Sequence, residues 1–135
     1  NNAIMNKREL ILRVIEGLGY KPQVDDDGDV KIRYQMKTIF VLVGDEDDTY
    51  TLLTMPNFCD VEDGAEHIAL AVCNKLTRDL RLAKVYVDQT FKYVSANCEF
   101  YYTDEASLKL NIENSLKILG VVRTLYKKTQ DELLS

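Results

Sequence analysis

The sequence is poor in the residues from which disulfide frameworks and metal sites are built. It contains three cysteines, one histidine and no tryptophan. Cys59, Cys73 and Cys98 are odd in number and widely spaced, which is not the pattern of a disulfide framework. We therefore expect a reducing, cytoplasmic setting. His67 has no second histidine and no close cysteine pair beside it, so the sequence predicts no metal site.

Positive charge is also in deficit, because 17 Lys and Arg residues oppose 22 Asp and Glu residues, giving a net charge of −5. Nucleic acids and anionic membranes attract basic surfaces, so the composition argues against both as partners. The longest run of Val, Ile, Leu and Phe, residues 39–43, is far shorter than the roughly 20 residues of a membrane-spanning helix. Residues 1–5 lack a signal-peptide pattern, and Met5 is a candidate native start.

The sequence has few features that would mark a boundary between domains. Only two prolines occur, Pro22 and Pro56, and no internal repeat or low-complexity linker divides the sequence. With 46% hydrophobic and 29% charged residues, the composition is that of a globular protein. We therefore expect a single domain over residues 1–135.

Apolar residues recur at helical spacing in some segments and alternate with polar residues in others. Asn6 and Asp60 are the predicted N-caps of the first two helices, and Glu9 completes a capping box with Asn6. The predicted helices cover residues 7–18, 61–77 and 105–133. The predicted strands cover residues 30–34, 38–43, 50–55, 83–87 and 93–101.

The predicted order is α-β-β-β-α-β-β-α. Within each group the strands are joined by links of hairpin length, which predicts antiparallel pairing. The helix–strand alternation of a doubly wound fold is missing, so the sequence predicts an α+β domain with an antiparallel sheet and helices.

No motif indicates catalysis or cofactor binding. Placing Gly28 at the sixth position of a calcium loop puts Gln23 at the first and Tyr34 at the twelfth, where acidic ligands are required. Cys59 and His67 would lie about 12 Å apart along a helix axis, too far for a nucleophile–base pair. We expect no catalytic, cofactor-binding or metal-binding residues, and we expect that the protein is not an enzyme.

One stretch between the second helix and the fourth strand is locally basic: Lys75, Arg78, Arg81 and Lys84. These cations either complement the dipole at the helix C-terminus or contact an anionic ligand. Arg123, Lys127 and Lys128 in the third helix have the same dipole explanation. The second reading gives an alternative function, a sensor or enzyme for an anionic small molecule with a pocket between the sheet and the C-terminal helix.

The strand at residues 38–43 is apolar on both of its faces. Ile39, Val41 and Val43 point to one side of the sheet, while Phe40 and Leu42 point to the other. Either the three helices cover both faces, or a second copy or another protein covers one of them. The hypothesis we favour is a protein-binding module that uses an apolar sheet face. Its expected contacts are Phe40, Leu42 and Tyr86.

Two segments carry a family resemblance. Residues 71–75 (Ala-Val-Cys-Asn-Lys) and 83–88 (Ala-Lys-Val-Tyr-Val-Asp) resemble the helix end and following strand of the YbjN-like family of sensory transduction regulators. That family is similar in fold to type III secretion chaperones, which share the element order predicted here over about residues 6–133. Gln89 and Thr90 depart from the pattern, because a glycine-bearing turn is typical at that point.

The resemblance implies a non-enzymatic protein without cofactors. Secretion chaperones are small acidic homodimers that hold an unfolded segment of a client protein. Their dimer contact uses the second helix and a nearby strand. By position, the resemblance implies the following interface residues: Ile68, Val72, Val85 and Val87. It therefore points to a protein partner or a second copy of the chain.

Overall fold

The computed structural model describes residues 5–135, so expectations about residues 1–4 lie outside the described part of the chain. The three predicted helices and five predicted strands follow one another in the predicted order, and a two-residue strand near the start brings the number of strands to six. The elements are α1 (Lys7–Gly17), β1 (Gln23–Val24), β2 (Val30–Tyr34), β3 (Lys37–Leu42), β4 (Tyr50–Asp60), α2 (Glu66–Asp79), β5 (Ala83–Val87), β6 (Tyr93–Tyr101) and α3 (Glu105–Leu134). The predicted α+β class is confirmed.

The strands form one antiparallel sheet in the order β1-β2-β3-β4-β6-β5. β4 and β6 are paired along most of their length, from Tyr50 opposite Tyr101 to Asp60 opposite Tyr93. β5 lies at one edge, because it pairs only with β6. The short β1 lies at the other edge.

The helices pack on a single face of this sheet. Within β3, Ile39 and Val41 are fully buried, whereas Phe40 is half-buried and Leu42 is exposed. The same alternation runs through β2, β4, β5 and most of β6, and the buried set joins the helices in one core cluster. Burial of this one-sided apolar set is the main stabilising contribution to the fold.

Local signals in the sequence explain the helix ends. Asn6 accepts a hydrogen bond from the backbone N–H of Glu9, and the Glu9 side chain accepts one from Asn6, so the predicted capping box is confirmed. After α1, Gly19 has a φ of +97°, a left-handed conformation that glycine adopts without strain. α3 begins with a second capping box between Asp104 and Ser107.

The second helix starts later than its apolar pattern predicts. α2 begins at Glu66 rather than Val61, and its N-cap, Ala65, makes no side-chain capping bond. Asp60, the predicted cap, is instead the last residue of β4. β4 continues past Pro56 through a bulge between Met55 and Cys59. Because the strand extends to Asp60, α2 begins later than the sequence predicts.

α3 approaches the β2–β3 hairpin closely at Gly120. A Cβ atom placed on Gly120 would lie 2.7 Å from Cε2 of Tyr34 and 3.3 Å from Oε1 of Gln35. Carbon atoms do not approach one another so closely without displacement. The absence of a side chain at Gly120 therefore permits the observed distance between helix and hairpin.

Candidate protein-binding face

Within residues 5–135, no helix lies over the other face of the sheet, and we call it the open face. Its side chains alternate along each strand with the buried set. The open face comprises Lys31, Arg33, Thr38, Phe40, Leu42, Tyr50, Leu52, Thr54, Lys84, Tyr86, Asn97, Glu99 and Tyr101. The structure therefore resolves the alternative left by the sequence: the helices cover one face of the sheet and leave the other uncovered.

An apolar stripe crosses the centre of the open face. Leu42 on β3 lies directly opposite Leu52 on β4, and Phe40 lies opposite Thr54. Side chains at opposed positions of an antiparallel pair are in contact distance, so these residues form one continuous patch. Leu42 is 37% exposed, and Phe40 and Leu52 are half-buried.

Two tyrosines extend the stripe toward β6. Tyr50 and Tyr101 are opposed in the ladder, and their ring centroids are 5.6 Å apart at an angle of 59°. Tyr101 is 72% exposed. Aromatic rings combine large apolar area with few rotatable bonds, which makes them favourable contacts for a partner.

A polar chain borders these tyrosines. The Tyr50 hydroxyl donates a hydrogen bond to Glu99, and Nζ of Lys84 lies 2.6 Å from the other carboxylate oxygen of Glu99. Burial, followed by the hydrogen bond to Glu99, raises the pKa of Tyr50 to about 12. The hydrogen bonds from Lys84 and Tyr50 lower the pKa of Glu99. Tyr50 is thus a neutral donor and Glu99 a charged acceptor at neutral pH.

Three of the residues predicted from the sequence lie on the open face. Phe40 and Leu42 belong to the apolar stripe, and Tyr86 lies on the edge strand β5. Tyr86 is 38% exposed, and its hydroxyl lies 3.3 Å from Oδ1 of Asn97.

The four residues implied by the family resemblance lie elsewhere. Val72 and Val85 are in the core between α2 and β5, so neither is accessible to a partner. Ile68 and Val87 are half-buried and pack against that core. α2 instead exposes Leu70, at 47%. The signal for Leu70 was present in the sequence, since it is an apolar residue outside the helix's buried stripe.

The cysteines and the histidine are not brought together into a reactive site. Burial raises the pKa of Cys73 and of Cys98 to about 12 in each case. Burial also raises the pKa of Cys59, which is half-buried on β4. The thiols are therefore protonated at neutral pH, and His67 is exposed. Residues 5–135 contain no cluster of three side chains able to hold a metal ion.

The basic stretch near the end of α2 is divided among separate contacts. Lys75 and Arg78 both pair with Asp79, at 2.5 and 3.4 Å. Lys84 pairs with Glu99 on the open face, and Arg81 is exposed. These cations do not converge on one cleft, which argues against the alternative of an anionic-ligand pocket built from them. In the part of the chain that the structure describes, no helix has the length and apolarity to cross a bilayer.

The element order, the acidic composition and the one-sided sheet define an α+β domain of the secretion-chaperone type. The family described as "T3SS (YopN, CesT) and YbjN peptide-binding chaperone 1" matches residues 6–107. The chain therefore belongs to this family, and the YbjN-like resemblance seen in the sequence is confirmed. The family is a peptide-binding one.

Solved structures add a likeness in fold. An uncharacterized protein from Methanothermobacter thermautotrophicus superposes with a TM-score of 0.51. The two chains are 14% identical, and the match covers 90% of this chain and 97% of the other. At that identity the similarity concerns the fold alone. No curated protein sequence matches the chain.

Proposed function

We propose that this protein binds an extended segment of a partner protein on its open face, without catalysing a reaction. The observation that carries the proposal is the apolar stripe of Phe40, Leu42 and Leu52, left uncovered in a member of a peptide-binding family. Covering apolar surface releases about 25 cal/mol per Å² before the costs of association are subtracted. A segment in extended conformation presents alternate side chains to such a flat face.

The second part of the proposal is that the protein is a homodimer in the cytoplasm. β5 is an edge strand, and α2 packs beside it with Leu70 exposed. An edge strand has backbone groups available for pairing, and an exposed leucine adds apolar area. Both features support a contact between two copies through α2 and β5, bordered by Ile68 and Val87. Protonated, unlinked cysteines are consistent with a reducing compartment.

Substitution of Phe40 tests the binding face. The probe is a synthetic peptide in which leucine alternates with glutamine, flanked by glycine and serine, and binding is measured by isothermal titration calorimetry. We expect Phe40→Asp to weaken binding by about 2 kcal/mol or more, which is about thirtyfold, because it places a charge in the apolar stripe.

A matched variant separates a local effect from a general one. Leu110→Asp introduces the same charge at an exposed leucine on α3, and we expect it to bind the peptide as the wild type does. Circular dichroism checks that both variants are folded. If Phe40→Asp is folded and binds normally, the open face is not the binding site. If it unfolds, Phe40 belongs to the core, and Leu52→Asp takes its place in the test.

A further inference from the structure

A second feature lies at the end of the sheet where the β2–β3 hairpin meets α3. Two adjoining cavities of about 390 and 430 Å³ open there, and both are lined by Met36, Lys37 and Arg123. We call their union the hairpin cleft. Its floor and walls come from β2, β3, the bulge of β4 and the C-terminal half of α3.

Among the described residues, four cations and no carboxylate line the hairpin cleft. The cations are Arg33 on β2, Lys37 on β3, and Arg123 and Lys127 on α3. None of the four forms an ion pair within residues 5–135. A concentration of unneutralised positive charge is unexpected in a chain whose net charge is −5. It would attract a negatively charged ligand to this part of the surface.

The helix dipole does not explain the cations on α3. The sequence interpretation attributed Arg123 and Lys127 to the dipole at the end of the third helix, but α3 ends at Leu134 and has no basic residue in its last turn. The dipole acts on charges within the last turn. Arg123 and Lys127 are instead four residues apart, where like charges repel each other. The helix dipole therefore accounts for neither residue.

Apolar side chains lie beside these charges. Met36 is 87% exposed at the tip of the hairpin, and Pro56 and Phe58 line the cleft from the β4 bulge. The Phe58 ring packs edge-on against Tyr126, with centroids 5.7 Å apart, so its position is fixed. A ligand with both carboxylates and apolar groups would match this mixed surface better than a small inorganic anion would.

The cleft is continuous with the open face. Arg33 and Thr38 lie opposite each other in the β2–β3 ladder, and Nη1 of Arg33 donates to Oγ1 of Thr38 at 2.9 Å. Both residues belong to the open face, and both line the cleft. A chain segment lying on the apolar stripe therefore reaches the cations at its end.

We infer that the hairpin cleft binds acidic residues of the same extended segment that the open face holds, so that the preferred partner sequence combines apolar and acidic residues. The inference rests on the proposed function. The carboxylates of the segment would be contacted by Arg33, Lys37, Arg123 and Lys127, while its apolar residues cover Met36 and the stripe.

Two peptides test this inference by isothermal titration calorimetry. One alternates leucine with glutamate, and the other is the leucine–glutamine peptide already described. We expect the wild type to bind the glutamate peptide about tenfold more tightly at low salt, with the difference shrinking as salt rises. Lys127→Glu should abolish the difference and leave affinity for the glutamine peptide unchanged.

Lys128 provides a matched control. It is the next residue on α3, but it lines a different cavity, beside Lys75 and Asp79 on the α2 side. Lys128→Glu changes the net charge by the same amount and should retain the preference for glutamate. Circular dichroism establishes that both variants are folded.

The possible results separate this inference from the proposed function. If the wild type binds both peptides equally, or if the two lysine variants lose the preference equally, the hairpin cleft is not the acidic site, and the proposed function stands. If the wild type binds neither peptide, the proposed function fails. Displacement of the glutamate peptide by inorganic phosphate at constant ionic strength would show a small-anion site and overturn the assignment to a peptide.

Discussion

At the scale of single residues, burial decides the charge state of groups that would otherwise titrate. Cys98 is fully buried on β6, and its pKa of about 12 compares with 9.0 for an exposed thiol. A thiol whose pKa is raised in the folded state stabilises that state fully below the unfolded pKa. The stabilisation is lost as the pH rises toward the folded pKa, because only the unfolded chain releases the proton.

We therefore expect the free energy of unfolding to fall as the pH rises above about 9, partly through Cys98. Cys98→Ala should make the decline shallower by about 1 kcal/mol per pH unit between pH 9 and 12. Urea denaturation under reducing conditions, repeated across this range, measures it. If the free energy of unfolding depends on pH in the same way for wild type and variant, the raised pKa of Cys98 is contradicted.

At the scale of the elements, the β2–β3 hairpin is built with an unfavourable turn. Tyr34 and Lys37 are paired, so Gln35 and Met36 form the two-residue connection, with φ values of +48° and +66°. Positive φ values at both central residues are typical of a type I′ turn, for which Asn-Gly is the favoured sequence. Side chains with a Cβ are strained in this conformation. The strained turn places Met36 at the hairpin tip, where it lines the hairpin cleft.

The double substitution Gln35→Asn with Met36→Gly should relieve this strain. We expect a gain of about 1 kcal/mol in stability, after part of the benefit is offset by the greater freedom of glycine in the unfolded chain. The same variant should bind the leucine–glutamate peptide less well, because Met36 is lost. Thermal unfolding and calorimetry measure the two effects. As a control, Gln35→Ala with Met36→Ala keeps the strained backbone and should not be stabilised.

At the scale of the whole molecule, the sheet has a covered face, an open face and an accessible edge. The covered face supplies the core, while the open face and the edge strand β5 carry the two proposed interfaces. The proposed dimer contact through α2 and β5 would leave the apolar stripe on β3 and β4 free for a partner segment. The two proposed interfaces can thus be tested separately.

Light scattering coupled to size-exclusion chromatography tests the dimer. We expect a mass of about twice the 15.5 kDa of one chain. Leu70→Asp should shift the protein toward the monomer, because it places a charge in the apolar contact. Leu133→Asp, at an exposed leucine near the end of α3, should not. A wild-type protein that stays monomeric at high concentration would disprove the homodimer.

Local patterns were sufficient to predict most of the elements and the orientation of their side chains. The alternation through β2, β3, β5 and β6 and the capping box at Asn6 are encoded in adjacent residues. The continuation of β4 beyond Pro56 is not encoded in adjacent residues, because it depends on pairing with β6. There the backbone N–H of Asn57 donates to the Ser95 hydroxyl at 2.9 Å.

The two candidate sites also differ in whether adjacent residues are enough to predict them. Phe40 and Leu42 could be identified because both lie in one strand whose two faces are apolar. The hairpin cleft could not, since Arg33 and Lys37 are separated from Arg123 and Lys127 by most of the chain. Only the packing of α3 against the β2–β3 hairpin brings the two pairs together. The burial of Val72 and Val85 likewise depends on the packing of α2 against β5.

Gly120 has a consequence for this geometry. Its single hydrogen lies where any larger group would meet the Tyr34 ring, two residues before the tip of the hairpin. The residue at position 120 therefore sets the distance between the basic residues of the helix and those of the hairpin. Homologues with alanine or serine at this position would hold the two apart, and their preference for charged partners would differ although every cation was retained.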